Sequence, residues 1–481
     1  MSDSPTRRRP PAQVLRRRIR EPVVIELPPP PPRPEVPHPR RHAQTFVLAL
    51  VVIILAGTIL LATPWTTRSG NATPPVDALF TAVSATAVTG LVTVDTKTHW
   101  NGFGQAVILV LVQTGGLGFM VGASIVLQTL RRGSTRLSDL LLVREGSPGF
   151  SLREAVELSR RIAIFTFATE FVGAVILTLA FWQDRPFLDA LWHGVFHAVS
   201  AFCNAGFDIQ GEFRSLIPYQ TSIVVNLVIM ILIQAGALSY VALADVVQSR
   251  RWSRFSLDTK LILVLNGVLL IGAALVFLLA EWSGVLATVP TEYRPMAALF
   301  QSVAARSGGY STVNFENVHL VTQFVWVGIM LIGGASGSTA GGVRLTTIGV
   351  IAAAVFSTLR GQEEPQVFGR RIPTAIVFRA LAVVTIMMIA HFTATALLAI
   401  TEDLFAHREA SFIAIMFEAM SALATVGLST GLTPSLTTEG KLVLCVVMFF
   451  GRIGPLTAAY ALQRRQRPTR YRFPAAQVRI G

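Results

Sequence analysis

Cysteine is almost absent from this chain: Cys203 and Cys445 are its two thiols in 481 residues, far apart in sequence and both in apolar surroundings. No disulfide framework and no cysteine metal cluster can be built from them. The eight histidines, His197 and His391 among them, are scattered without an HExxH or paired-ligand spacing, and no glycine-rich nucleotide loop follows a strand signal. An enzymatic reading is left almost without support, and no cofactor is assigned to this chain. Charge is thin too. Only 14% of residues are Asp, Glu, Lys or Arg, against roughly a quarter in an ordinary globular domain.

What fills the space is apolar. Hydrophobic residues make up 52% of the chain and its mean hydropathy is +0.56, so the bulk of it belongs in the lipid bilayer. Eight long apolar runs are legible, at 45–63, 103–130, 162–182, 221–247, 260–281, 319–357, 374–401 and 439–463, each near or above the ~20 residues a spanning helix needs.

Bases outnumber acids 41 to 27, a net charge of +14. Arginine runs can bind phosphate backbones, but their placement here argues for topology and against a nucleic-acid partner. Arginine is dense before residue 21, between Arg131 and Arg161, at Arg250, Arg251 and Arg254, at Arg360, Arg370 and Arg371, and from Arg464 to Arg479. The alternate loops carry few bases, such as Arg68, Lys97, Arg214, Arg294 and Lys441. The positive-inside rule then puts both termini in the cytoplasm of a multi-pass protein of the cytoplasmic membrane. Residues 1–43, rich in Pro and Arg, read as a disordered cytoplasmic arm with Pro28–Pro32 in polyproline II. The first apolar run begins too far in, and runs on too long, for a cleaved signal peptide.

Four short elements share one design: TAVTGL at Thr86–Leu91, CNAGF at Cys203–Phe207, RSGGY at Arg306–Tyr310 and ATVGL at Ala424–Leu428. Each holds a glycine in register, Gly90, Gly206, Gly309 or Gly427. Each follows a short apolar stretch dotted with Ser and Phe, too short to cross a bilayer but long enough for a half-spanning helix. The spacing implies fourfold internal repetition of helix, half-helix with return loop, and helix, over 44–131, 132–250, 251–360 and 361–464, with a basic tail at 465–481. The expected fold is all-α: eight transmembrane helices and four re-entrant half-helices around one pseudo-fourfold pore. A lone glycine of this kind packs helices, as in GxxxG contacts. Four in matching position, all on the outer side, argue for loops around one axis.

Such loops suit a dehydrated cation. Rings of backbone carbonyls can replace a hydration shell, irregular backbone at membrane depth is tolerated where it lines a cavity or is buried in protein, and glycine reaches the dihedral angles required. The half-helices aim their partially negative C-terminal ends inward, favouring a cation over an anion.

Three further features follow. The run Gly333, Gly334, Ala335, Ser336, Gly337, Ser338, Thr339, Ala340, Gly341, Gly342 interrupts an apolar stretch and cannot hold a helix well; it is expected beneath the loops. Arg452 lies inside the last span, where an arginine must face water or a partner. Glu170, Glu281 and Glu418 are membrane-embedded carboxylates expected to brace the scaffold, with Arg306 as the partner of Glu418, locking neighbouring repeats together.

From about residue 45 onward the chain resembles the Trk/Ktr/HKT superfamily of potassium transporters, and within it the KtrB-like membrane subunit. The resemblance rests on FTAVSATAVTGLVTVDT at Phe80–Thr96, QTGGLGFM at Gln113–Met120, FQSVAARSGGYSTVN at Phe300–Asn314, GGASGSTAGGVRLTT at Gly333–Thr347, and FEAMSALATVGLSTGLTP followed by FFGRIGPLT. It implies a potassium filter made by Ala87, Val88, Thr89 and Gly90; Cys203, Asn204, Ala205 and Gly206; Arg306, Ser307, Gly308 and Gly309; and Ala424, Thr425, Val426 and Gly427. Potassium would sit at the carbonyls of Thr89, Gly90, Asn204, Gly206, Gly309 and Gly427. With glycine at all four positions potassium is the implied ion, whereas serine at the first admits sodium in relatives. Gly333–Gly342 and Arg452 become the implied gate, with Arg344, where the family usually has lysine, either beside it or at the membrane edge. The implied partners are a second copy, in a homodimer, and a cytosolic KtrA-like octameric ring that binds nucleotide; the closing RYRFPAAQVRIG would reach one of them. Coupling or activation by sodium is left open. A Trk-type subunit with a different regulator is the nearest alternative, and a non-conducting polytopic protein a more distant one. QAGALSY at Gln234–Tyr240 and SLDTK at Ser256–Lys260 depart from the family pattern in the second repeat.

Overall fold

A computed structural model of the chain describes residues 39–132, 152–362, 364–405 and 411–454. The arm before residue 39, the basic stretch between Arg136 and Arg144, and the tail with RYRFPAAQVRIG lie outside the described residues.

The first quarter consists of α1 (Pro39–Leu61), α2 (Pro75–Ala87) and α3 (Gly102–Arg132). Helix α1 thus begins inside the stretch expected to be arm. The second has α4 (Leu152–Phe181), α5 (Phe187–Phe202) and a bent pair, α6 (Ile223–Ala237) and α7 (Tyr240–Ser249). The third has α8 (Leu257–Ala280), α9 (Arg294–Arg306), α10 (Leu320–Leu331) and α11 (Leu345–Leu359). After a two-residue hairpin, β1 (Gln366–Val367) against β2 (Arg370–Arg371), the fourth has α12 (Thr374–Ala399), α13 (Phe412–Leu423) and α14 (Thr438–Ile453).

Local chemistry sets these limits. Ser222, Ser256 and Thr437 cap α6, α8 and α14, their hydroxyls accepting from Val225 N, Thr259 N and Gly440 N. The short helices α2 and α9 open on prolines in their first turn, where the missing N–H costs nothing and φ is already set. Three of the four short helices stop because the next residue or the one after turns left-handed: Val88 at φ 57°, Asn204 at 61° and Thr425 at 48°.

Packing closes a circuit. Helix α3 lies against α5, α6 against α9, α10 against α13, and α14 against α2, so in each quarter the helix that follows the short helix touches the short helix of the next. The short helices are buried mainly toward their C-terminal ends; Phe80, Phe196, Phe300 and Phe417 are fully enclosed. Outward faces are apolar instead of charged, with Phe171 70% exposed on α4 and Leu279 79% exposed on α8, which suits lipid and not water. Among the described residues Val156–Phe181, Leu257–Ala280 and Thr374–Glu402 are long and apolar enough to cross a membrane, and the bent pair α6–α7 is so only when its two helices are counted together.

That bend departs from the sequence. The apolar run 221–247 reads as one helix, yet its axis turns by 96° between α6 and α7. Ser239 takes φ 66°, and the carbonyls of Gly236 and Ala237 accept from Thr339 N at 3.1 Å and Ala335 N at 2.9 Å. A neighbouring segment has taken carbonyls that a continuing helix would use.

Candidate functional site

Each short helix ends in a turn, and the four turns meet. A Cβ built on Gly90 would collide with the carbonyl of Ala205 and approach Gly206; one on Gly206 would lie 2.7 Å from Gly308 O and 2.8 Å from Gly309 Cα; one on Gly309 would lie 2.7 Å from Val426 O and 3.1 Å from Gly427 Cα; one on Gly427 would collide with Thr89 O and lie 3.2 Å from Gly90 Cα. The order of contact returns to its start, so the four glycines form a ring in which only hydrogen fits. All four have positive φ, between 63° and 92°.

The turns are held from behind by serine, a feature the sequence reading left unused. Ser84 O accepts from Thr89 N at 2.8 Å and Ser84 Oγ from Gly90 N at 3.1 Å. Ser421 repeats both bonds, to Val426 N at 2.8 Å and Gly427 N at 3.1 Å. In the second turn Ser200 O accepts from Ala205 N at 2.8 Å, while Ser200 Oγ donates to Phe207 O at 2.8 Å. Each serine stands six residues before its glycine, and that shared spacing was readable. The third turn differs: it is one residue shorter from Phe300 to the glycine, has Val303 at the serine position, and spreads its left-handed backbone over Gly308 and Gly309. Tyr310 compensates across the ring, its hydroxyl donating to Phe207 O at 2.9 Å. The carbonyls that touch the neighbouring glycine belong to Thr89, Ala205, Gly308 and Val426.

Glycines also line the helices beneath the ring. A Cβ on Gly115, Gly236 or Gly451 would collide with the carbonyl of Thr86, Phe202 or Leu423 respectively, each four residues before a ring glycine. The following position is Gly116, Ala237 and, in α14, Arg452. That guanidinium is 2% exposed and donates to Gly115 O at 2.7 Å and to Thr339 O; it does not snorkel to an interface.

The segment Gly333–Gly342 meets both. Gly341 lies against Ala424 O and the Thr425 hydroxyl, the Thr339 hydroxyl lies 2.5 Å from the Asn204 amide, and Arg344 donates to Ala340 O. Asn204, Thr339, Arg452 and Gly115 thus form one connected cluster under the ring. A parallel bridge between Ile332 and Val343 closes the neck of the loop.

The expected pairing of Arg306 with Glu418 does not occur. Arg306 donates to Asn266 Oδ1 and, at 3.3 Å, to Gly333 O. Glu418 accepts from Ser429 Oγ at 2.7 Å, Thr430 N at 2.8 Å and Thr433 Oγ1 at 2.6 Å. Its own return loop supplies enough donors, and a buried charge satisfied by several short hydrogen bonds needs no ionic partner. Glu170 accepts from Gln113 Nε2 at 3.1 Å behind Cys203, and Glu281 takes His319 N at 3.0 Å and Thr322 Oγ1 at 2.6 Å. Glu402, missed in the sequence, plays the same part in the fourth quarter by accepting from Thr437 N at 3.0 Å. Both Cys203 and Cys445 are buried free thiols. Beyond the second turn Asp208 is pushed up to about 6, chiefly by burial.

Residues 37–467 match a protein family described as TrkH, cation transport protein. The chain is 37% identical over 442 residues to the Ktr system potassium uptake protein B of Bacillus subtilis, covering 91% of this chain and 96% of that protein. It is 34% identical over 441 residues to the potassium/sodium uptake protein NtpJ of Enterococcus hirae, covering 91% and 97%. Its fold is similar to the crystal structure of the potassium transporter TrkH from Vibrio parahaemolyticus, with a TM-score of 0.67 and 18% identity over 88% of this chain and 85% of that one.

Proposed function

The chain belongs to the TrkH family of cation transport proteins, and on that premise we propose that it takes up potassium through the ring of glycine turns. It is a transporter and not an enzyme. The names of the two relatives support the choice of ion, and the closed circuit of Gly90, Gly206, Gly309 and Gly427 carries the mechanism. Carbonyls at the ring would stand in for the water that potassium sheds, and the four short helices end there with their partially negative termini. The expected quarters at 44–131, 132–250, 251–360 and 361–464 then make one four-repeat pore with eight spans, in a cytoplasmic membrane with both termini inside. Packing of the helix that follows each short helix on the next quarter's short helix supports that arrangement.

Gly333–Gly342 and Arg452 form the gate in this reading. Their hydrogen bonds to one another and to the second turn support it: a fixed positive charge bound to Thr339 O and Gly115 O beneath the ring opposes a cation until the cluster rearranges. A homodimer on a KtrA-like nucleotide-binding ring would supply the force, and sodium would enter as a coupling or activating ion.

The test is complementation of a potassium-uptake-deficient bacterium, with and without a cytosolic partner, together with rubidium and sodium flux. Growth at low potassium is the expected result. Gly90→Ser should lose discrimination against sodium, because its side chain meets Ala205 O at a residue held at φ 92°. Absence of growth with every partner, in cells that make the protein, would overturn the reading.

A further inference from the structure

A hollow lies apart from the glycine ring. Between the N-terminal ends of α3 and α5 is a pocket of about 370 Å³ whose lining includes Arg68, Lys97, Gly102, Gln105, Trp192 and His193. Its walls are fixed: Trp192 Nε1 donates to Gln105 Oε1 at 2.8 Å, and Gln105 Nε2 donates to Trp100 O at 3.2 Å. The pocket is cationic. Among the described residues no carboxylate comes within 4.0 Å of Arg68 or Lys97. Burial is the main reason that Lys97 holds its proton less tightly than a free lysine; Arg185 and Arg68 add to it, and Asp189 and Asp95 oppose it. The one carboxylate in the lining, Asp189, is engaged by Arg185 at 3.4 Å.

Two further groups lack an acceptor. His193 is 1% exposed and its Nε2 lies 2.6 Å from Arg185 Nη1. Arg185 can only donate, so the ring proton is on Nδ1, which has no partner. Gly102 starts a 31-residue helix, so the positive end of α3 faces the same space. Next to the lining residues Gly102 and Asp189, Phe103 and Leu188 are 55% and 77% exposed, an apolar flank beside a cationic cup.

We propose that this pocket binds the phosphate of a phosphodiester, as presented by an anionic phospholipid headgroup whose chains lie along Phe103 and Leu188. Arg68 and Lys97 hold the charge, and the apolar flank distinguishes a lipid from free phosphate. The site also bears on the second turn, because Lys97 acts electrostatically on Asp208; a bound anion would offset a positive charge near that turn.

The full-length protein in detergent is titrated with phosphatidylglycerol, phosphatidylcholine or inorganic phosphate, with bound ligand counted by native mass spectrometry and stability followed by thermal unfolding. Wild type should retain phosphatidylglycerol and unfold at higher temperature in its presence, with no response to phosphatidylcholine. Arg68→Gln with Lys97→Gln should weaken retention about thirty-fold, on the order of fivefold per basic residue. Should the double variant fold poorly, Arg68→Gln alone, at an exposed position, gives the fivefold effect. A stabilising response to inorganic phosphate alone, lost in the variant, identifies free phosphate as the ligand and overturns the lipid assignment. Equal retention by wild type and variants, or none by wild type, overturns the site. These readouts need no ion flux, so they stand or fall apart from the proposed transport activity.

Discussion

Replacing Gly451 by alanine reverses an ordinary expectation. Inside a helix, glycine to alanine stabilises by up to about 1 kcal/mol, because alanine loses less backbone freedom. At Gly451 the new Cβ would fall well inside 3.0 Å of Leu423 O, a separation real Cβ atoms essentially never show. Main chain, unlike a flexible side-chain tip, cannot swing aside, so α14 and the end of α13 must part by on the order of an ångström. Overpacking of this kind costs roughly 1–3 kcal/mol, which exceeds the propensity gain. Because Leu423 stands four residues before Gly427, the displacement reaches the ring, and uptake should fall with stability. Gly328→Ala in α10 is the control, with nothing within 4 Å of its built Cβ; it should be neutral or stabilising. Tryptophan-fluorescence unfolding of both variants in one detergent, alongside rubidium uptake in cells, decides the matter. If Gly451→Ala melts and transports like wild type, close approach of α14 to the α13 carbonyl is not what the glycine provides.

Tyr310→Phe removes the hydroxyl that reaches Phe207 O while Ser200 keeps its own bond. A loss of about 1 kcal/mol should appear as a several-fold fall in potassium-over-sodium discrimination; an unchanged permeability ratio refutes the clamp. With Asp208 titrating near 6, the carboxyl is charged above that pH and neutral below it. Cation uptake should therefore drop as external pH falls through 6, and Asp208→Asn should flatten the profile at the low level; a variant profile that still bends at pH 6 assigns the step elsewhere. Glu402→Ala strands Thr437 N and its hydroxyl at the start of α14 and should cost roughly 1–3 kcal/mol, seen as a lower melting temperature.

The four ring glycines were legible because three repeats spell the same turn at the same distance behind a Phe- and Ser-bearing stretch and the third differs by one residue, a signal carried within a dozen residues. Gly333–Gly342 was legible for a similar reason, since its composition conflicts with the apolar helix around it. The bend at Ser239 was not. QAGALSY stays apolar, and what diverts its carbonyls is a segment about a hundred residues further on. The partner of Glu418 was misjudged on the same ground: opposite charges suggested Arg306, but the choice was made by hydroxyls in the return loop, whose path shows only once the chain is folded. Glu402 escaped notice because its role depends on where Thr437 arrives.

One consequence of the contact between Gly333–Gly342 and the kink after α6 concerns solvent. Thr339 N and Ala335 N stopper the two carbonyls left open at Gly236 and Ala237. If the segment moved aside, four main-chain groups would be stranded at membrane depth, a state tolerated only where water can follow. Displacement and wetting must then be a single event.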